Sequence, residues 1–187
     1  MNMQNDMIQS SLDGLRSKDA DCQDQAFQSL MLATKEPVDW AYTVWDDLLQ
    51  TLKDGDNRQR AIASQVLCSL AKSDPENRML KDIGALIAAT KDEQFVTARH
   101  CLQSLWKVGV AGESQRKLYM KGLIKRFAEC TAEKNCTLIR YDILESMRRV
   151  YDVTNDESIA ATTASLIETE EDPKYRKKYL TLWRKKK

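Results

Sequence analysis

Apolar residues fall along this chain in stripes of helical spacing. Ile139, Ile143, Leu144, Met147 and Val150 stand at i, i+4, i+5, i+8 and i+11, with polar or charged residues filling most of the places between. Ile62, Val66, Leu67 and Leu70 form a similar stripe earlier in the chain. The stripes share a phrase. Ala26 to Leu30 reads AFQSL, Val66 to Leu70 VLCSL, Cys101 to Leu105 CLQSL and Ile143 to Met147 ILESM; Tyr179 to Trp183, YLTLW, is a looser copy. Each copy follows a polar, acid-bearing turn (17–21, 53–57, 91–93, 132–135, 170–173), and a second apolar segment precedes each turn. The unit is therefore helix A, acidic turn, helix B. Copies recur about every 35–42 residues, the signature of stacked helical pairs.

The pattern predicts ten helices. The A helices fall near 3–15, 38–52, 76–90, 113–130 and 156–169, and the B helices near 20–34, 57–72, 94–109, 136–152 and 173–185. They pair as repeats near 3–34, 38–72, 76–109, 113–152 and 156–187, one domain over 1–187. Asp74-Pro75 and Asp172-Pro173 each place a capping acid before a proline at a helix start, and Glu36-Pro37 marks another boundary. A single pair cannot bury its apolar stripe, whereas stacked neighbours make one continuous core. The phrase is then the core-facing stretch of each B helix, written once per layer.

Composition narrows the class. Only six Gly and three Pro occur in 187 residues, which suits helices joined by short links. A hydrophobic fraction of 42% with 30% charged residues is that of a globular chain, and 187 residues can bury a core. The five cysteines form no C-x-x-C pair and are odd in number, so reduced thiols in a cytoplasmic setting are expected. Cys130 and Cys136 flank a turn with no third or fourth ligand near, so neither zinc nor another metal is expected there. The start of the chain lacks the cationic and apolar regions of a signal peptide, and no apolar run reaches the roughly 20 residues of a membrane span. Gly-rich phosphate loops are missing, and no cofactor is expected. Gly84 and Gly122, inside A helices, predict close packing between repeats.

The helix pairs, their period and the apolar-Arg openings of two B helices, Ile139-Arg140 and Tyr175-Arg176, resemble HEAT-type α-solenoids over nearly the whole chain. The other copies depart, with Cys22-Gln23, Ile62-Ala63 and Thr97-Ala98 in that place, and the family's helix A proline is missing. The resemblance implies an all-α, right-handed superhelix of about five antiparallel helix pairs. It also implies a non-enzymatic protein-binding scaffold or adaptor with the B helices lining a concave face. Some HEAT-like relatives are DNA glycosylases, which keeps a nucleic-acid-binding reading beside the first.

Candidate partner-binding residues follow from one column. Six places after each anchor of the phrase stand Leu32, Lys72, Lys107, Arg149 and Lys185. Four cations at one structural position, with layers roughly 10 Å apart, would form a ladder for an acidic protein segment or a phosphate backbone. The competing explanation is that cations at helix C-termini are favoured by the macrodipole without any ligand. Arg148 joins this set, and so does Trp106, either a projecting anchor or a filler between B helices. Acids on the A helices, Glu36, Asp39, Asp46, Asp47, Glu168, Glu170 and Glu171, suggest an acidic layer over a basic one within a net charge of +1. The basic C-terminus is either a phosphate or membrane-surface contact or a solubilising cap. Trp45 fits the core and Trp40 is expected to be half exposed. His100 has no acid or second ligand in the surrounding sequence. Asp142 and Glu145 are the carboxylates a glycosylase reading would use, and an i,i+3 pair bridging to Arg140, Arg148 or Arg149 explains them equally. Catalysis is not expected, and the sequence is silent on oligomeric state.

Overall fold

The computed structural model describes residues 3–184. Its α-helices are α1 (Met3–Leu15), α2 (Ala20–Ala33), α3 (Ala41–Asp54), α4 (Asn57–Leu70), α5 (Met79–Ala89), α6 (Phe95–Ser104), α7 (Trp106–Ala111), α8 (Glu113–Glu129), α9 (Cys136–Thr154), α10 (Glu157–Glu168) and α11 (Pro173–Trp183). Helices α6 and α7 are one rod interrupted at Leu105, so the described residues form ten helices and no strand. None of them is long and apolar enough to cross a membrane.

Side chains in the turns set the helix starts. Asp19 accepts from the amides of Asp21 and Cys22 at the head of α2. Asp56 and Gln59 make a reciprocal capping box on α4. Asp172 caps α11 with Pro173 as its first residue. The Asp74-Pro75 pair behaves differently from its sequence twin. Asn77 sits at φ 57°, in the left-handed region, so the chain turns there and α5 begins only at Met79. The buried Asp74 carboxylate still serves that start, accepting from the Arg78 and Met79 amides and from the Tyr42 hydroxyl.

Helices α2, α4, α6–α7, α9 and α11 pack each on the next, and α3, α5, α8 and α10 do the same. The core lies between these two rows. All five anchors of the phrase, Ala26, Val66, Cys101, Ile143 and Tyr179, are buried in it, with Trp45, Tyr119, Phe127 and Met147 as large fillers. Trp40, expected half exposed, is also buried, because it packs at the head of α3. The glycines divide. A Cβ on Gly122 would stand 2.6 Å from Ile87 Cδ1, so α8 needs glycine to approach α5. Around Gly84 nothing lies within 4 Å, and the expectation of close packing there is wrong.

Ion pairs tie each helical pair to the next. Arg60 on α4 grips Asp92 with Nε and Nη2, at 2.6 and 2.9 Å. Arg140 on α9 reaches Glu170 at 2.9 Å. Arg99–Asp142, Lys91–Glu129, Arg78–Asp46 and Arg116–Asp156 also join neighbouring pairs. Arg126 is 1% exposed; it donates to Glu133 and to the Thr90 carbonyl, closing what would otherwise be a costly buried charge. The expected acidic layer over a basic one does not form. Helix α8, in the first-named A position of the fourth pair, carries Arg116, Lys117, Lys121, Lys125 and Arg126, and the A-layer acids Asp46 and Asp47 pair with Arg78 and Arg16.

Candidate functional site

The column six places beyond the anchors converges on a groove at one edge of the B-helix row. Leu32, near the end of α2, is 64% exposed. Lys72 lies in the single 3-10 turn after α4 and Lys107 on α7. These three line a groove of about 570 Å³ together with Phe27, Met31 and Lys35. Among the described residues no carboxylate lines it.

Lys107 is the unusual member. Its side chain runs inward, and Nζ donates to Ser69 Oγ at 2.6 Å on α4. Burial lowers its pKa, and the neighbouring charges of Lys72 and Arg149 push it the same way. Among the described residues it has no carboxylate partner. The exposed Lys72 donates to the carbonyl of Lys35, which draws the end of α2 towards the groove. Arg149 continues the row on α9, its guanidinium 5.9 Å from the Trp106 ring and bonded to Glu145 at 3.1 Å. Lys107 is thus close enough to feel both Lys72 and Arg149.

Comparisons with family models, curated proteins and solved structures find no match to this chain.

The other partner-binding candidates fare differently. Arg148, half-buried, is occupied within the fold. It pairs with Asp152 at 2.7 Å, donates to the carbonyls of Leu182 and Arg184, and lies over the rings of Tyr151 and Trp183. It docks α11 and is no part of the row. Trp106 is half-buried against the core beneath Arg149, so it does not stand out as an isolated anchor. Lys185 lies outside the described residues.

Phe27, Met31, Lys35 and Ser69 are groove residues that the column did not mark. Lys35 carried a readable signal, because it follows the end of α2 as Lys72 follows the end of α4. Phe27 also lines a second groove, of about 560 Å³, with Ile62, Val96 and the exposed His100. A larger one, about 750 Å³, runs between α8 and α10 over Met120, Ile124 and Ile159. Its cations are mostly compensated: Lys117 pairs with Glu113, Lys125 with Glu129 and Arg116 with Asp156.

The carboxylates considered for chemistry are held in pairs. Asp142, 1% exposed, accepts from Nε and Nη2 of Arg99 and from Nε2 of Gln103. It pairs with none of the three arginines weighed from the sequence, because Arg99 on the preceding B helix reaches it first. Glu145 does pair with one of them, Arg149. Among the described residues no three His, Cys, Asp or Glu side chains gather into a metal site. Cys68 and Cys101 are fully buried, and desolvation raises both thiol pKa values, that of Cys101 to about 12. Neither is a nucleophile at neutral pH.

Proposed function

We propose that this chain is a right-handed α-solenoid of five HEAT-like helix pairs, acting as a non-enzymatic scaffold in the cytoplasm that holds an acidic segment of a protein partner. The row formed by Leu32, Lys72, Lys107 and Arg149 is the contact. The serial packing of α2, α4, α6–α7, α9 and α11 supports the solenoid, as do ion pairs whose members stand 30 to 43 residues apart. One observation carries the function: a half-buried ammonium, Lys107, faces two further cations and lines a groove with no carboxylate. Such a charge is poorly solvated, and an incoming carboxylate relieves it in a way that macrodipole chemistry at helix ends does not. Apolar Phe27, Met31 and Leu32 beside the cations favour a segment that mixes acids with aliphatic residues.

A phosphate backbone would also match the cations. The groove offers a single aromatic, Phe27, and the nearest tryptophan, Trp106, is covered by Arg149, so a run of stacking platforms for bases is lacking. The glycosylase extreme is disfavoured because Arg99 holds Asp142 and Arg149 holds Glu145.

The test is a photo-crosslinker placed at Leu32, used in native extract with and without nuclease and at low and moderate salt. The Lys72→Glu/Lys107→Glu/Arg149→Glu variant is run beside the parent. The proposal expects a discrete acidic protein that survives nuclease and is lost on charge reversal. Adducts that vanish with nuclease, or binding that collapses steeply with salt, would transfer the site to nucleic acid. Adducts unchanged by the reversal would return the row to helix-end chemistry.

A further inference from the structure

At the corner between α8 and α9 the chain places two thiols together. Cys130 stands in the 3-10 turn that ends α8, and Cys136 is the first residue of α9. Their sulfurs are 2.6 Å apart, and both cysteines are free. The segment between them, 131–135, is short and contains neither Gly nor Pro, so the pairing is a property of the folded corner. Cys130 is buried and Cys136 only partly so. Arg140 and Arg126 face the pair with positive charge, and the Tyr179 hydroxyl closes it from α11 by donating to the Thr137 carbonyl. Asn135, before Cys136, makes no side-chain cap on α9, and the Cys136 amide donates to the Glu133 carbonyl at 3.0 Å, which ties the corner to the first turn of the helix.

We infer that Cys130 and Cys136 are a reversible redox-modification site whose oxidant is a hydroperoxide. Cys136, the accessible thiol, reacts first. Its thiolate sulfur attacks the terminal peroxide oxygen, an S–O bond forms, the O–O bond breaks, and the leaving alkoxide or hydroxide takes up the thiol's proton. Cys136 is then a sulfenic acid. The Cys130 sulfur attacks it, the S–S bond forms, the S–O bond breaks, and water leaves carrying the Cys130 proton. Two electrons pass from the sulfurs to the peroxide. A dithiol reductant reverses the change by exchange.

The roles follow from the surroundings. Burial, then the neighbouring Cys136 sulfur, push the Cys130 thiol up to about 12, so it is a poor first nucleophile and serves as the resolving partner. The other thiols lack this arrangement. Cys68 and Cys101 are sealed in the core, and Cys22 is exposed on α2. Closing the bridge would also fix the turn that carries Glu133, the carboxylate holding Arg126.

The experiment exposes the folded full chain to stoichiometric hydrogen peroxide, traps remaining thiols by alkylation, and maps the peptides by mass. The expected result is a Cys130–Cys136 cross-linked peptide, lighter by two hydrogens, at about tenfold excess over any disulfide containing Cys22, since proximity raises the effective thiol concentration. Dithiothreitol should restore both thiols. A trivalent arsenical that bridges dithiols should bind the untreated protein stoichiometrically and fail to bind Cys136→Ser. Peroxide that leaves both thiols alkylatable, or that oxidises Cys22 first, overturns the inference. So does arsenical binding that persists in Cys136→Ser.

Discussion

Arg99 on α6 holds both carboxylate oxygens of Asp142 on α9, with Nε to Oδ2 at 2.6 Å and Nη2 to Oδ1 at 3.0 Å. The pair crosses from the third B helix to the fourth. Asp142 is buried while Arg99 keeps partial access to water, so the two ends are unequal. Removing the arginine strands a buried carboxylate; removing the aspartate frees a guanidinium that water can partly reach.

Arg99→Met should therefore cost about 3 kcal/mol, and Asp142→Leu less. The double variant should recover much of the loss, because an apolar pair of similar volume needs no desolvation. Urea unfolding of the four proteins measures this. Equal losses for the two single variants, with no recovery in the double, would show that the two ends of the pair are equivalent.

Lys107 should show the opposite sign. Its charge is held in a half-buried place beside Lys72 and Arg149, which lowers its pKa. A base whose folded pKa is depressed costs stability while protonated, and that cost fades as pH rises through the folded value. Lys107→Met is expected to raise stability by about 0.5–1 kcal/mol at neutral pH, despite losing the Ser69 bond, while weakening partner capture. Thermal melts at neutral and alkaline pH would show the gap between variant and parent narrowing at the alkaline end.

Acid should unfold the protein through the carboxylates that join neighbouring helix pairs. Burial alone would raise the Asp92 pKa, but bonds from Arg60 and the Gln94 amide outweigh it and hold the group below its ordinary value. Stability from such a group is present above the unfolded pKa, near about 4, and is lost as pH falls through the folded value. Circular dichroism across that window should show a later acid transition for the parent. Asp92→Asn should lower stability at neutral pH and flatten the pH dependence.

The glycines give a two-sided test of packing. Gly84→Ala should stabilise by about 0.5–1 kcal/mol, because the added Cβ meets nothing and the helix gains propensity. At Gly109 a Cβ would lie 2.7 Å from Val150 Cγ2 and 3.1 Å from Tyr119, so Gly109→Ala should destabilise. Chemical denaturation midpoints that move in the same direction would contradict the difference.

Helix order and the buried phrase were legible because periodicity reports directly on which face of a helix is apolar. The anchors Val66, Cys101 and Ile143 illustrate this: their spacing marked them, and they are buried. Partner choice was not legible. Nothing near Asp142 in sequence says that Arg99, 43 residues back, will hold it. Arg148 and Arg149 are adjacent cations on one helix, yet a rotation of one residue turns Arg148 towards Trp183 and leaves Arg149 exposed. Gly84 and Gly122 look alike in sequence, and only the distance between helices separates them. The sequence set Cys130 and Cys136 on either side of a turn, but the contact of their sulfurs was not legible, because six residues across a corner carry no periodic signal. The groove was half legible: the column found Leu32, Lys72 and Lys107, while Phe27 and Met31 come to it through the local course of α2.

The ties between neighbouring pairs have a mechanical consequence. Arg60–Asp92, Arg99–Asp142 and Arg140–Glu170 each bridge one pair to the next. In the proposed solenoid, tension between α1 and α11 would load these junctions in series, because among the described residues no ion pair joins helix pairs that are not neighbours. In such an array each junction should yield separately under a pull, so extension would come in several small steps and not in one.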